Sequence, residues 1–186
     1  MKRTLLTVAT ALLAIGTVTA AAPDLGTEAQ RKAGAALYGK SCSQCHGDQG
    51  DGAGYAAQHL KPRPRNFTLG KFKIRTTASG ALPTTEDLMH VIKRGMPYSS
   101  MPPWPNFTDD ELKSLAYAIK SFSPDFAKPD FNVAPLTFEK APKYTKESAA
   151  AGRNVYEETG CIKCHGELGR GDGPSRARWR TTGATR

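Results

Sequence analysis

The chain has 186 residues, 39% hydrophobic and 23% charged, a globular composition with room for one ordinary domain or two small ones. That balance excludes collagen-like, coiled-coil and multi-pass membrane architectures. The 26 Lys+Arg against 17 Asp+Glu give a net charge of +9, which suits a nucleic-acid, membrane or acidic-protein partner without choosing among them.

The N-terminus reads as an export leader: Lys2-Arg3, an apolar run from Leu5 to Val18, then Val18-Thr19-Ala20. Cleavage is expected after Ala20, making residues 1–20 a signal peptide and the location periplasmic or otherwise exported. The apolar run is shorter than the ~20 residues that span a bilayer. An uncleaved leader would instead keep the chain membrane-associated. Without Lys2 and Arg3 the mature chain has 24 basic against 17 acidic residues, a charge of +7.

Thr27-Glu28-Ala29-Gln30 is a capping-box start, and the Ala-rich stretch to Tyr38 is expected to be a helix that delivers Cys42. There follows Cys42-Ser43-Gln44-Cys45-His46, and the other two cysteines lie in a second copy, Cys161-Ile162-Lys163-Cys164-His165. Cys-x-x-Cys-His is the attachment signature of haem c: two thiols add to the porphyrin vinyl groups and the adjacent histidine becomes the proximal iron ligand. The competing readings fit less well. Zinc wants a second ligand pair nearby, and the copies lie 119 positions apart. A redox dithiol or a structural disulfide has no need of His46 and His165.

Lys61, Arg63, Arg65, Lys71, Lys73 and Arg75 follow with no acidic residue among them. Nucleic-acid binding would explain that charge but neither the leader nor the cysteine strings. The next helix is capped by Thr84 or Thr85, carries Leu88, Val91 and Ile92, and stops at Gly95. Gly95-Met96-Pro97-Tyr98-Ser99-Ser100-Met101-Pro102 is a loop. Thr108-Asp109-Asp110-Glu111 is a second capping box, after which Leu112, Leu115, Ala116, Ile119 and Phe122 recur at helical spacing until Pro124. No alternating strand pattern is evident, so the expected class is all-α, three main helices around a covalently bound cofactor. A domain of this size has a limited core of its own. Prolines 124, 129, 135 and 142 then mark an extended linker that can lie across the first domain.

The likeness between the two strings extends outward. Gly34, Tyr38 and Cys42 are spaced by four, as are Gly152 and Tyr156, although Cys161 comes five after Tyr156, and Gly47, Gly50 and Gly52 reappear at Gly166, Gly169 and Gly171. This is an internal repeat of a structural unit. Here the chain resembles the class I cytochrome c family in its bacterial di-haem, two-module form. The resemblance covers one whole module at 27–124 and the start of another from 149 to about 176, which makes 125–148 a linker and 149–186 a truncated second module.

The resemblance implies that Gly34 and Tyr38 pack against the last helix, the glycine permitting close approach. It implies that Pro62 or Pro64 offers the carbonyl that fixes the His46 Nδ1 hydrogen bond. A low-spin carrier also needs a sixth iron ligand, and thioether sulfur raises the potential relative to two histidines. Of Met89, Met96 and Met101, the first reads as a core residue, and the family's ligand loop points to Met101 ahead of Met96. His59 and His90 are the alternatives. Arg75 is expected to contact the haem propionates, with the remaining cations steering an acidic redox-partner protein.

The second module is expected to be incomplete. Met101 lies 55 residues beyond His46, whereas 21 residues follow His165 and none is methionine. A second haem on Cys161, Cys164 and His165 would be five-coordinate or take a foreign ligand. After Ser175 the likeness to the family ceases. Codons for Ser175 to Arg186 can be written so that loss of one CG pair yields Ser-Arg-Ala-Leu-Ala-Asp-Asp-Trp-Gly-Asn-Pro, a family-like continuation. A frameshift, a fragment boundary and a natural mono-haem chain with a vestigial motif are the readings, and the nucleotide sequence separates them.

The functional expectation is an exported electron-transfer cytochrome that transforms no small-molecule substrate and binds no nucleic acid. It would cycle iron at a haem c held by Cys42, Cys45, His46 and Met101. The rival is a haem enzyme or enzyme subunit, such as a di-haem peroxidase or a dehydrogenase-associated cytochrome, with an open iron site.

Overall fold

In a computed structural model, residues 22–176 are described. The leader with its cleavage point, and the tail from Arg178 on which the frameshift reading rests, lie outside them. The described residues contain helices and no strand, in two compact units that divide between Thr137 and Phe138. No helix among them is long and apolar enough to cross a membrane.

The first unit is built on α1 (Glu28–Ser41), α2 (Ser43–His46), α3 (Thr85–Arg94) and α4 (Asp109–Lys120). Each longer helix opens on a reciprocal capping box: Thr27 with Gln30, Thr84 with Asp87, and Thr108 with Glu111. A threonine cap of this kind contributes about 1 kcal/mol by satisfying N–H groups that have no partner inside the helix. Of the two candidate caps for α3, Thr84 serves and Thr85 is the first helical residue. Asp87 does more than cap, because its carboxylate also accepts from the Thr76 N–H at 3.0 Å and so ties the preceding long loop to α3.

The core sits where α4 packs on both α1 and α3. Leu112, Leu115 and Ala116 of α4 are fully buried, together with Tyr38 from α1, Leu88 and Ile92 from α3, and Phe67 and Leu82 from the loops. Burying a side chain of that size stabilises by roughly 1.5–3 kcal/mol. The Gly34 Cα lies against the Ser114 carbonyl of α4, where a Cβ would overlap it, so the expected close approach of the two helices is present.

The expected linker began at residue 125, and there the structure differs. Phe126 is 1% exposed and belongs to the first unit's core. The chain then runs back along the long loop, with the Leu82 N–H bonded to the Phe131 carbonyl and the Leu136 N–H to the Thr76 carbonyl. The expected end of the last helix at Pro124 is also corrected: α4 stops at Lys120, and a proline-opened 3-10 turn at Pro124–Ala127 redirects the chain and lets Phe126 re-enter the core.

A group missed in the sequence joins the same core. Lys120, 3% exposed, donates to the Asp24 carbonyl and to Thr85 Oγ1, both at 2.7 Å, while Thr85 donates to the Asp24 carboxylate at 2.5 Å. One buried ammonium therefore pins the segment before α1 to α3 and α4.

The second unit contains α5 (Lys146–Glu158), capped by Thr145 with Ser148, and the single turn α6 (Ile162–His165). Neither helix has a buried residue.

Candidate functional site

Cys42 closes α1 through its N–H to the Tyr38 carbonyl at 2.8 Å, and the next four residues wind into α2. The Cys45 and His46 N–H groups both return to the Cys42 carbonyl, at 3.1 and 2.9 Å. This turn places Cys42, Cys45 and His46 on the wall of one largely apolar cavity of about 250 Å³.

The imidazole is held from behind. Gly52 lies against the backbone at 64–66, and a Cβ on it would come to 2.8 Å from the Pro64 carbonyl oxygen. That close approach sets the Arg65 carbonyl 3.0 Å from His46 Nδ1. A carbonyl only accepts, so Nδ1 carries the proton and Nε2 keeps its lone pair. The proline assignment is thus corrected: the acceptor is Arg65, because the Pro64 carbonyl is turned onto Gly52. Phe67, anchored by its N–H to the Gly50 carbonyl at 2.7 Å, stacks on the His46 ring at 4.6 Å between centroids and 19° between planes. Burial pushes the imidazole pKa down against the opposing pull of the Arg65 carbonyl, which keeps the ring neutral at pH 7.

Both cysteines are free thiols. Burial, reinforced by neighbouring Cys45, raises Cys42 to about 11. A redox-active dithiol needs a lowered thiol pKa, so this environment does not suit that chemistry. Among the described residues no three His, Cys, Asp or Glu converge as ligands for a bare metal ion.

Met96 and Met101 both line the cavity, with Trp104 and with Ile92 and Ile119 from α3 and α4. Their loop is closed by the Met96 N–H on the Met101 carbonyl at 3.1 Å. Gly95, with φ +68°, accepts the backbone of Pro102 and Pro103 where a Cβ would come to 2.6 Å, bringing the far end of the loop back to α3. Met89 packs on the core, as its reading required, and His59 and His90 are exposed and absent from the cavity lining.

The charged lining residues are Arg63, Arg65 and Lys73. Arg75 is not among them. Its guanidinium donates to the Phe72 and Ala78 carbonyls, at 2.6 and 3.2 Å, and so is committed to its own loop. Phe67 and Trp104 are lining residues that sequence reasoning did not find: each stands alone in a Pro-rich stretch with no periodicity to mark it.

Paired thiols, a neutral imidazole with its Nε2 free, thioethers and three cations around an apolar cavity fit a covalently held haem. Residues 29–117 match the family model for Cytochrome C oxidase, cbb3-type, subunit III. Those residues form a c-type cytochrome domain. The cytochrome domain's chain is also similar to a solved structure of the Kuenenia stuttgartiensis reducing HAO-like protein complex Kustc0457/Kustc0458. The two share 42% identity with a TM-score of 0.72, over 77% of this chain and 66% of that one. No curated protein sequence matches this chain significantly.

In the second unit Cys161, Cys164 and His165 are brought into the same kind of turn, the Cys164 and His165 N–H groups returning to the Cys161 carbonyl at 3.2 and 2.9 Å. All three residues are exposed.

Proposed function

We propose that the protein is an exported one-electron carrier with haem c joined to Cys42 and Cys45 and ligated by His46 and Met101. The observation that carries this is the convergence of both thiols, the imidazole and the methionine loop on one apolar cavity. When bound, haem c supplies an iron couple that takes up and releases one electron. The chain's part is to orient and to exclude water. The Arg65 carbonyl and the Phe67 ring fix the imidazole, the loop closed between Met96 and Met101 presents thioether sulfur, and Ile92, Ile119 and Trp104 keep the surroundings apolar. Arg63, Arg65 and Lys73, rather than Arg75, are placed to meet anionic groups of the cofactor. A second haem on Cys161, Cys164 and His165, a cleaved leader, the absence of enzymatic turnover and an acidic redox partner complete the reading.

Intact mass and haem staining of the mature protein test the attachment: one or two haem masses support it, and none would sink it. Met101→Ala is expected to abolish the Met-to-iron charge-transfer band of the oxidised protein, with Met96→Ala leaving it in place. The reverse result would transfer the ligand role to Met96.

A second reading, that the chain serves as the electron-carrying subunit of a larger enzyme, is favoured by the neighbour's membership of a reducing HAO-like complex. Co-purification with an enzymatic subunit, or peroxide turnover by a high-spin centre, would favour it over a free carrier.

A further inference from the structure

The Met96–Met101 loop carries a feature that holding a cofactor does not require. Among the described residues Tyr98 is the one non-glycine with positive φ, at +64°. That region crowds the Cβ of an L-residue and is a genuine outlier for a bulky side chain. The surrounding loop enforces it: the Met96 carbonyl accepts from both the Ser99 N–H at 3.1 Å and Ser99 Oγ at 2.7 Å, and the Met96 N–H is bonded across to Met101. The ring gains no packing in return, being 105% exposed.

A loop that merely presented methionine would be better served by glycine at 98, as at Gly95, avoiding both the backbone strain and the exposed apolar ring. Strain maintained beside a functional site, with the ring held out in water, points to an interaction made outside the chain. Tyrosine suits such a contact, since it brings a large rigid surface at little cost in rotamer entropy. The cavity that its loop helps to line carries charge of one sign. Tyr98 is flanked by Met96 and Ser99 of the cavity lining, whose charged members Arg63, Arg65 and Lys73 are all cations. The run from Lys61 to Arg75 contains six cations and no acid.

We propose that Tyr98 anchors the docking surface for an acidic redox protein, its ring filling an apolar recess of the partner while exposed Lys61 and Lys71, the cations of the 61–75 segment that neither the cofactor nor the Arg75 loop claims, face the partner's carboxylates. This deepens the electron-carrier reading and rests on it. The step itself moves one electron from ferrous iron to the partner's oxidised centre, with no proton and no bond made or broken.

The mature, haem-loaded chain is reduced and mixed at low ionic strength with oxidised acidic plastocyanin, whose Cu(II) becomes Cu(I), and separately with ferricyanide. Tyr98→Ala and Tyr98→Gly are expected to lower the second-order rate constant with plastocyanin at least fivefold, equivalent to about 1 kcal/mol. Tyr98→Phe stays within about twofold of the parent. The ferricyanide rates and the visible spectra stay unchanged throughout. Added salt slows the plastocyanin reaction as charge attraction is screened. Undiminished plastocyanin rates in Ala and Gly, or a salt-independent parent rate, would overturn the proposal. So would a parallel loss with both oxidants, which would make Tyr98 a brace for the methionine loop. A parent protein without haem, evident from its spectrum before any rate is measured, would instead overturn the electron-carrier reading.

Discussion

The two Cys-x-x-Cys-His turns are nearly the same object in two different settings. In both, the histidine N–H returns to the first cysteine's carbonyl at 2.9 Å, and the N–H of Gly52 or Gly171 bonds back to the histidine carbonyl at 2.8 Å. In both, the tyrosine hydroxyl, Tyr38 or Tyr156, donates to the glycine carbonyl just after the motif. In both, a glycine two beyond the second of these, Gly54 or Gly173, lies against the backbone of the turn, where a Cβ would not fit. What differs is everything that comes from afar. The first turn has the Arg65 carbonyl on its histidine, Phe67 stacked behind it, and α4 packed on α1. Among the described residues the second has no hydrogen bond to the His165 ring, no aromatic stack on it, and no buried side chain in α5 or α6. The turn is thus a local product of five residues and a few glycines, whereas the cavity is a long-range product of a whole module.

Haem content should break along that line, and this is the largest expected effect. Cys42→Ser with Cys45→Ser is expected to remove all haem held by residues 29–117, leaving at most what Cys161 and Cys164 carry. The reciprocal pair, Cys161→Ser with Cys164→Ser, leaves the Met-to-iron band intact. Intact mass and the oxidised spectrum read both. Loss of that band from the second pair of substitutions would mean that the first cavity depends on the second unit.

The glycines sharpen the contrast because their partners differ while their local roles match. Gly34→Ala drives a Cβ into the Ser114 carbonyl at the α1–α4 contact and is expected to cost about 1–3 kcal/mol, the usual scale of overpacking. Gly152, its counterpart on α5, has open space within 4 Å, so Gly152→Ala should be neutral or stabilise α5 by up to about 1 kcal/mol through helix propensity. Gly52 and Gly171 share a left-handed backbone, φ +76° and +72°, yet only Gly52 has the 64–66 backbone against it. Alanine at 171 therefore carries the left-handed penalty alone, about 1–2 kcal/mol, while alanine at 52 adds the displacement of the Arg65 carbonyl from His46. Thermal unfolding of the four variants ranks them. Equal costs at 34 and 152 would show that α5 is packed as α1 is.

Much of this was legible in the sequence where the signal is local. Thr27, Thr84 and Thr108 announce their helices because a cap and its partner lie three residues apart, and the cysteine strings announce their turn. The one-residue slip in the repeat is also explained. In the first copy Cys42 bonds back four residues to Tyr38, whereas Cys161 bonds back five to Tyr156, and Gly160 at φ +78° absorbs the extra residue. What was not legible depends on distant backbone. Which carbonyl meets His46 is decided by Gly52 against Pro64, not by proline chemistry. Arg75 is one of six cations in a run, and its sequence position says nothing of its capture by Phe72 and Ala78. Phe126 follows a proline that looks like a domain end, and only the core it re-enters shows otherwise.

The smallest effect concerns a tie that joins the segment before α1 to the first unit's core. Asp24 gains from the Thr85 hydroxyl and the Lys120 ammonium, and together these outweigh the upward push of partial burial and hold its carboxyl below the ordinary range. A depressed carboxyl pKa stabilises the fold above the unfolded-state value, and the contribution fades as pH falls through the folded one, so its loss belongs to the acid side. Lys120 behaves oppositely. Burial lowers its pKa despite Asp24, so carrying the charge costs the fold something at neutral pH, a cost relieved only at alkaline pH. Because the Asp24 side chain is 55% exposed, solvent screening limits its share to under about 1 kcal/mol. Asp24→Asn is therefore expected to flatten the pH dependence of unfolding below about pH 4 while changing stability at pH 7 only slightly. The larger loss should come from removing the segment altogether, because the Asp24 carbonyl that accepts from Lys120 goes with it and a buried ammonium is left short of a partner. Urea unfolding of chains beginning at residues 22 and 26 compares the two directly. Equal stability of these chains would mean that Lys120 finds another acceptor, and that the segment before α1 is not part of the fold.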